Sequence, residues 1–387
     1  MPLLNRVAEL HGEVTQWRRH LHQHPELLFD VHETAKFVEA KLKDFGCDEV
    51  VTGLGRTGVV GVIRGSRGDG ETIGFRCDLD ALPIKEASGV AHASKTDGKM
   101  HACGHDGHTA MLLGAAKYLA ETRNFVGAIV LIFQPAEEGG GGGRVMVEDG
   151  LMERFGIDRV YGMHNMPGVP VGEFTIRGGP FFAATDEFVI TITGKGGHAA
   201  LPHKTIDPVV TGAQMVQALQ TIASRSVDPI GSIVVSVTKF NAGKAHNVIP
   251  ETATLAGTMR TLSADIRELG EARLKAVAKG VAEANGAEVR VDFRRGYPVT
   301  VNDVHEAEVA AEIAASLVGQ DKVTTGVEPI MGGEDFAYML EKRPGAMILI
   351  GNGDSAGLHH PAYDFNDDII PYGISYWAQL AESNKAA

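Results

Sequence analysis

The stretch Ala128–Glu138, AIVLIFQPAEE, decides the fold class because it joins a continuous apolar run to two adjacent carboxylates. An uninterrupted apolar run of this kind is typical of a strand that is buried on both faces of a parallel sheet. Polar residues that directly follow such a strand lie at the edge where open α/β sheets place their chemistry. The stretch therefore predicts a parallel α/β sheet with Glu137 and Glu138 at its functional edge.

The neighbouring segments alternate between strand-like and helix-like patterns. Apolar residues at helical spacing predict a helix over His105–Thr122, and short apolar runs predict strands over Thr72–Arg76, Arg159–Met163 and Ala346–Ile350. Strands that alternate with helices predict an α/β fold with a mostly parallel, doubly wound sheet and helices on both faces.

A second pattern interrupts the first between residues 181 and 294. Glu187–Thr193 alternates apolar and polar residues, as a half-buried strand does, and the elements that follow complete the order β-α-β-β-α-β. This order predicts a ferredoxin-like α+β domain inserted into the first domain. We predict that residues 1–180 and 295–387 form the two parts of the main domain and that residues 181–294 form the insertion.

The composition narrows the class of protein. A length of 387 residues predicts two or three domains, and 44% hydrophobic with 22% charged residues is ordinary for a globular protein. The net charge of −13 argues against a nucleic-acid partner. No apolar run reaches membrane-spanning length, no signal peptide opens the chain, and three widely spaced cysteines form no disulfide framework. These features predict a cytoplasmic protein with neither a membrane nor a nucleic-acid partner.

The stretch Met100–Thr109, MHACGHDGHT, concentrates side chains that bind metals. It holds Cys103, His105 and His108, and thiolate, imidazole and carboxylate are ligands of zinc-like divalent ions. An isolated Cys-x-His is more often a buried cysteine beside helix-capping histidines. However, ligand-type residues also follow three predicted strands. Five residues of this kind exceed one closed tetrahedral site and predict two metals that share a bridge: Cys103, His105, Glu138, His164 and His359.

The two adjacent carboxylates predict a division of labour. One binds metal, and its neighbour is free to accept a proton from water. The five glycines that follow, Gly139–Gly143, lack the order of a phosphate-binding loop, so we expect them to permit close backbone approach instead. Asp78 and Asp80 follow another buried strand, where they either orient a ligand histidine or simply cap a strand end.

Three residues of the predicted insertion are weaker candidates. His198 lies in GKGGHAA, Asn247 in AHNVIP and Arg260 in GTMRT, and each taken alone is more often structural or merely exposed. An arginine with bidentate geometry would nevertheless suit a substrate carboxylate.

At these residues the sequence resembles the dinuclear-metal aminoacylase and carboxypeptidase family, in its hippurate hydrolase and auxin-conjugate amidohydrolase branch. The matching stretches extend across nearly the whole chain: RRHLHQHPEL, DLDALPI, HACGHDGHTAMLLGAA, FQPAEEGGGG, GMHNMPG, GKGGHAALPH, HNVIPE, GTMRT, MGGEDF and LHHPAYDFND.

The resemblance implies a role for each matching residue. Cys103, His105, Glu138, His164 and His359 would bind the metals, and Glu137 would be the general base. His360 would fill a variable position, and Asp78 stands where distant relatives carry a ligand histidine. The insertion would be a lid and dimerisation domain, in which His198 assists at the oxyanion and Asn247 and Arg260 contact the substrate. Asp80 remains our candidate for orienting a ligand.

We therefore predict a metal-dependent amidohydrolase that cleaves N-acyl or N-aroyl amino acids with two divalent ions, which are zinc, manganese, cobalt or nickel. The resemblance also implies a homo-oligomer, either a dimer or a tetramer. A dipeptidase, a carboxypeptidase and an N-acetyl-diaminopimelate deacetylase remain alternatives that use the same residues. A noncatalytic binding protein with this fold is a further alternative. A nicotinamide dehydrogenase is disfavoured because no G-x-G-x-x-G opens the first βα unit.

Overall fold

The computed structural model describes residues 5–384, which form two compact units with separate apolar cores. The first unit contains the chain up to Gly179, Val301–Glu328 and the chain from Asp335 onward. The second unit contains Pro180–Thr300 together with the short segment Pro329–Glu334.

The elements follow one another along the chain in three groups. Those that precede the second unit or lead into it are α1 (Asn5–Gln23), α2 (His32–Asp44), β1 (Glu49–Leu54), β2 (Gly58–Arg64), β3 (Thr72–Asp78), α3 (His105–Thr122), β4 (Ala128–Gln134), α4 (Gly142–Glu148), α5 (Leu151–Arg154), β5 (Arg159–Pro167), β6 (Phe174–Ile176) and β7 (Gly179–Phe182). Those of the second unit are β8 (Ala184–Thr193), β9 (Gly197–His198), α6 (Pro208–Leu219), β10 (Ile233–Ala242), β11 (Val248–Ile249), β12 (Thr252–Thr261), α7 (Ala264–Ala284) and β13 (Glu288–Arg295). The remaining elements are β14 (Thr300–Asn302), α8 (Val304–Val318), β15 (Val323–Thr325), α9 (Ala337–Leu340), β16 (Gly345–Gly353) and α10 (Ile370–Glu382).

The first unit is built on an eight-stranded sheet with the order β1-β2-β4-β3-β5-β16-β6-β15. Its four central strands, β4, β3, β5 and β16, run parallel, whereas β1 and β2 form an antiparallel edge. The predicted mostly parallel sheet is therefore confirmed. Apolar side chains of the central strands and of α1, α3, α8 and α10 make up its core.

One strand differs from its prediction. The sequence pattern ends the strand after Met163, but β5 continues through His164 and Asn165 to Pro167. The apolar run stops at Met163, yet the next two polar residues stay buried because their side chains find partners inside the protein. His164 therefore lies within a strand and not after one.

The second unit contains a four-stranded antiparallel sheet with the order β10-β12-β8-β13. Phe188, Ile190 and Ile192 alternate along β8 and pack with apolar residues of α6 and α7. The connections β8-α6-β10 and β12-α7-β13 give the predicted ferredoxin-like order.

Within the described part of the chain, none of the helices combines the length and the apolar character needed to cross a membrane.

Candidate metal centre

The carboxyl ends of the central parallel strands place polar residues at one edge of the sheet. Asp78 ends β3 and pairs in register with Gln134, which ends β4. The Glu137–Glu138 pair follows the end of β4 by three residues, and His164 lies in the second half of β5, which neighbours β3. Because parallel strands end together, residues far apart in sequence converge at this edge.

All five predicted ligands gather there in two groups of three that share one member. Ligand atoms of Cys103, His105 and His164 lie within 4.8 Å of one another, and so do those of Cys103, Glu138 and His359. The common member is Cys103, so the two groups form one continuous cluster of donor atoms. These five residues would hold divalent ions, because thiolate, imidazole and carboxylate are the ligands that such ions prefer.

Hydrogen bonds turn two of the histidine rings toward the group. His105 donates from Nδ1 to the backbone oxygen of Asp80 at 2.8 Å, and His164 donates from Nδ1 to the backbone oxygen of Asn165 at 2.6 Å. Each ring therefore turns its Nε2 toward the group, as metal-binding histidines usually do. Burial opposes the charging of His105, but Asp78 and Cys103 raise its pKa well above the usual value, so a bound metal would have to displace a proton from this ring. His164 Nε2 lies 3.4 Å from Cys103 Sγ.

Two buried atoms test whether this donor set fits a metal. His105 Nε2 and Glu138 Oε1 are buried and lie 3.9 Å apart, and Glu138 Oε1 also lies 3.4 Å from His359 Nε2. Two ring nitrogens thus converge on one buried carboxylate oxygen, and a cation bound among them would compensate the burial of these polar atoms. The described residues therefore fit a divalent ion at this position.

Electrostatics also favour a cation. Hydrogen bonds to Cys103 and Glu138 raise the pKa of His359 to about 10, which means that the site attracts positive charge. Burial holds the pKa of His164 well below its usual value, so this ring is neutral and free to coordinate. Burial raises the pKa of the Cys103 thiol, so a bound metal would have to displace its proton.

The turn that carries Glu137 and Glu138 is held by the side chain of Asp80. Its two carboxylate oxygens accept the backbone N–H groups of Glu137 at 2.9 Å and Glu138 at 3.2 Å. Ala136, which precedes them, has a positive φ of 56°, a strained conformation for a residue with a Cβ atom. Asp80 thus supports both the turn and His105, the latter through its backbone oxygen and through its carboxylate, whose Oδ1 lies 3.7 Å from His105 Nδ1.

His108 belongs to the same surroundings but has no nitrogen left for a metal. Its Nδ1 donates to Asp78 Oδ1 at 2.7 Å, and its Nε2 accepts the backbone N–H of Asn165 at 3.0 Å. Burial opposes ionisation of Asp78, but His105, His108 and Arg76 together hold its pKa well below the usual range. Asp78 and His108 therefore form a buried hydrogen-bonded pair next to the candidate ligands.

Two of the three candidates in the second unit are neighbours, His198 and Asn247, whereas Arg260 lies near the opposite end of β12, where it pairs with Thr185. β9, which contains His198, pairs with β11, and the backbone of Ala199 donates to the oxygen of Asn247 at 3.0 Å. Arg260 lies in β12, where it donates to Thr258 and to a backbone oxygen, and it forms no ion pair within 4.0 Å among the described residues, although the charges of Asp186 and Glu187 act on it. Burial lowers the pKa of Arg260. A partly buried guanidinium without a direct ion pair can receive an anionic ligand.

Sequence reasoning missed several residues that support the site. The side chain of Asn165 donates to the backbone oxygen of Cys103 at 2.6 Å and accepts from the hydroxyl of Tyr363 at 2.7 Å. The guanidinium of Arg76 binds both Asp78 and Asp335. The sequence feature that could have indicated this support is the arginine in the strand TIGFRCD, because an arginine in a buried strand needs carboxylate partners.

A parallel α/β sheet with this buried donor set at its carboxyl edge defines a metal-dependent hydrolase. The model of peptidase family M20/M25/M40 matches residues 74–383, and the chain belongs to this family. It is an amidohydrolase that uses divalent metal ions.

Individual relatives cover almost the whole chain. Hippurate hydrolase from Campylobacter jejuni is 43% identical over 98% of this chain and 99% of its own length. N-acetylcysteine deacetylase from Bacillus subtilis is 39% identical over 96% of both chains. A crystal structure of a dinuclear metal binding peptidase from the M20 family, also from Bacillus subtilis, superposes with a TM-score of 0.85 at 37% identity. It covers 97% of this chain and 98% of its own.

Proposed function

We propose that this protein hydrolyses the amide bond of N-acyl and N-aroyl amino acids, with two divalent ions held by Cys103, His105, Glu138, His164 and His359. Support comes from the two groups of ligand atoms that share Cys103. Two of the relatives act on hippurate, an N-aroyl amino acid, and on N-acetylcysteine, an N-acyl amino acid.

The observation that carries the proposal is the position of Glu137 beside the ligands. A carboxylate oxygen of Glu137 lies within 4.8 Å of the ligand atoms of His105 and Glu138, and the residue is only 7% exposed. When bound, the divalent ions make water acidic enough to attack near neutral pH and polarise the substrate carbonyl. Glu137 takes the proton of the attacking water and later delivers it to the leaving amine.

Residues of the second unit complete the proposed reaction. We assign His198 to the oxyanion that develops on the acyl oxygen, and Arg260 with Asn247 to the carboxylate of the amino acid. Support for Arg260 comes from its partial burial without a direct ion pair in the described part of the second unit.

A substrate panel tests the function. We expect hydrolysis of hippurate and N-acetyl amino acids that is abolished by a chelator and restored by added metal, with lower kcat/KM for dipeptides and N-acetyl-diaminopimelate. If dipeptides or N-acetyl-diaminopimelate give the highest kcat/KM, one of the alternative activities is correct. If no amide in the panel is cleaved by the metal-loaded protein, the noncatalytic alternative is correct.

We further propose zinc, manganese, cobalt or nickel as the metal, because thiolate, imidazole and carboxylate together suit each of these ions. We also propose a cytoplasmic homo-oligomer, a dimer or a tetramer. Val189 and Val234 support the oligomer. Both side chains are about 40% exposed on the second unit's sheet, and both lie on the face away from its helices. Metal analysis and light scattering of the purified protein test these two points.

A further inference from the structure

A buried ion cluster connects helix α1 to the start of α3. Arg18 and His22 lie one turn apart on α1 and are completely buried. Both reach the same carboxylate oxygen: Arg18 Nε lies 2.9 Å and His22 Nδ1 lies 2.8 Å from Asp106 Oδ2. Asp106 directly follows His105 in sequence, so α1 anchors the chain beside a proposed ligand.

The guanidinium of Arg18 also reaches a second segment that carries a ligand. Its Nη2 lies 2.5 Å from Asp364 Oδ1, and its Nη1 lies 3.6 Å from Asp367 Oδ1. Asp364 comes shortly after His359, in the stretch LHHPAYDFND. Arg18 is therefore in contact with the segment of Cys103 and His105 and with the segment of His359.

The chemistry of arginine suits this double contact. Its planar guanidinium presents donors in several fixed directions, so one side chain can hold two carboxylates at a set separation. A lysine in its place would keep the positive charge that the buried Asp106 requires, but it would present a single ammonium group. The separation of the two segments would then no longer be fixed.

We propose that Arg18 is a positioning residue of the metal centre, and that it sets the distance between the Cys103–His105 segment and His359 through Asp106 and Asp364. His22 is the second anchor of Asp106, and its Nε2 lies 3.3 Å from Glu86 Oε1. This inference rests on the proposed metal centre. Among the described residues, Arg18 forms no hydrogen bond or ion pair with a proposed ligand, so it acts through the two aspartates.

The experiment compares Arg18→Lys with Arg6→Lys in the full-length protein. Arg6 also lies on α1 and makes two hydrogen bonds of 2.8 Å to a carboxylate of α3, that of Glu121, but it does so at the far end of α3 and is exposed. Affinity for Zn²⁺ and Mn²⁺ is measured by competition with a chromophoric chelator. Thermal unfolding of the metal-free proteins is measured in parallel.

We expect Arg18→Lys to weaken metal binding about 10- to 100-fold, which is the range for residues that orient metal ligands. We expect kcat to fall more than KM rises, and we expect Arg6→Lys to bind metal like the wild type. A second variant, Asp364→Asn, removes the negative charge that Arg18 and His92 contact on the His359 segment and leaves Asp106 unchanged. It should weaken binding of one of the two ions.

The outcomes separate this inference from the proposed function. Wild-type metal affinity in Arg18→Lys, even with a lower melting temperature, would show a purely structural role and overturn the inference. Equal losses of affinity in Arg6→Lys and Arg18→Lys would also overturn it, because general docking of α1 would then be responsible. If Arg18→Lys does not fold, the metal affinity of Asp364→Asn decides between a positioning role and a purely structural role for Arg18. A wild-type protein that binds no metal would contradict the proposed function instead.

Discussion

Glu137 and Glu138 are adjacent in sequence, and Asp80 accepts the backbone N–H of both, yet their side chains have different neighbours. Both carboxylates lie near His105, but only Glu138 also lies near Cys103 and His359. The same turn thus places Glu138 among the proposed ligands and Glu137 beside them. This arrangement allows one residue to bind metal while the other moves a proton.

We predict that Glu137→Gln and Glu138→Gln fail in different ways. Glu137→Gln should bind both ions and lose about 100- to 10,000-fold in kcat, because a general base has been removed. Glu138→Gln should lose one ion, because an amide is a poor replacement for an anionic ligand. Metal content per chain and kcat of each variant are the measurements. Near wild-type turnover in a fully loaded Glu137→Gln protein would exclude Glu137 as the base.

Gly104, between Cys103 and His105, illustrates how tightly the backbone is packed here. Its φ is +89°, and a Cβ atom would lie 2.3 Å from Asn165 Nδ2 and 2.6 Å from the hydroxyl of Tyr363. Gly98 has a similar φ of +77° but open space around it. A comparison of alanine substitutions at the two glycines therefore separates the cost of backbone strain from the cost of steric overlap.

We predict that Gly98→Ala costs about 1 kcal/mol of unfolding free energy through strain alone. Gly104→Ala should cost about 1–3 kcal/mol more because of the added overlap. It should also weaken metal binding, since Asn165 would have to move away from Cys103. Urea denaturation of the metal-free proteins and metal titration are the measurements. Equal stability of the two variants would contradict the proposed crowding.

At the scale of elements, helix α1 contributes both apolar packing and buried charged groups. Its apolar residues Val7, Leu10 and Val14 belong to the main core, while Arg18 and His22 continue the same buried face with charged groups. Burial opposes the charging of His22, but Asp106 and Glu86 raise its pKa to about 9. The docking of α1 is therefore partly electrostatic.

This raised pKa predicts how stability changes with pH. A group whose pKa is higher in the folded state stabilises the fold below its unfolded pKa, which for histidine is about 6.5. The contribution of His22 is then lost as the pH rises toward 9. The metal-free wild type should lose thermal stability between pH 6.5 and 9, and His22→Gln should lose less over the same range. The exposed His32→Gln is the control, and equal slopes in wild type and His22→Gln would contradict the prediction.

At the scale of the whole molecule, the proposed ligands all lie in the first unit, although they come from segments that are far apart in sequence. Cys103 and His105 precede or begin α3, His164 lies in β5, and His359 follows β16. A bound ion would therefore connect several parts of one unit. The second unit contributes no proposed ligand.

We predict that a chelator destabilises the protein and that added metal restores it. Ions present at 100 times their Kd would stabilise the folded state by about 2.7 kcal/mol. Hydrogen exchange should speed up on metal removal around Cys103–Thr122 and near His359, with the amides of α7 in the second unit as an internal reference. Unchanged melting and unchanged exchange after complete metal removal would contradict a metal centre that joins these segments.

The amino-acid sequence by itself determined the parallel sheet, the bounds of α3 and the kinds of side chain at the sheet edge. These features follow from local patterns: the AIVLIF run, the helical spacing after His105 and the polar residues that follow them. Local patterns failed at β5, where His164 and Asn165 remain in the strand because of partners that lie elsewhere in the chain.

Only the tertiary structure decided which side chains meet. The sharing of Cys103 by two groups, the loss of both His108 nitrogens to Asp78 and Asn165, and the double contact of Arg18 all depend on residues distant in sequence. Periodicity reports which face of an element is buried, but it does not report the partner of a buried polar group. That partner is chosen by packing of the whole unit, and here it separates a metal ligand from a supporting residue.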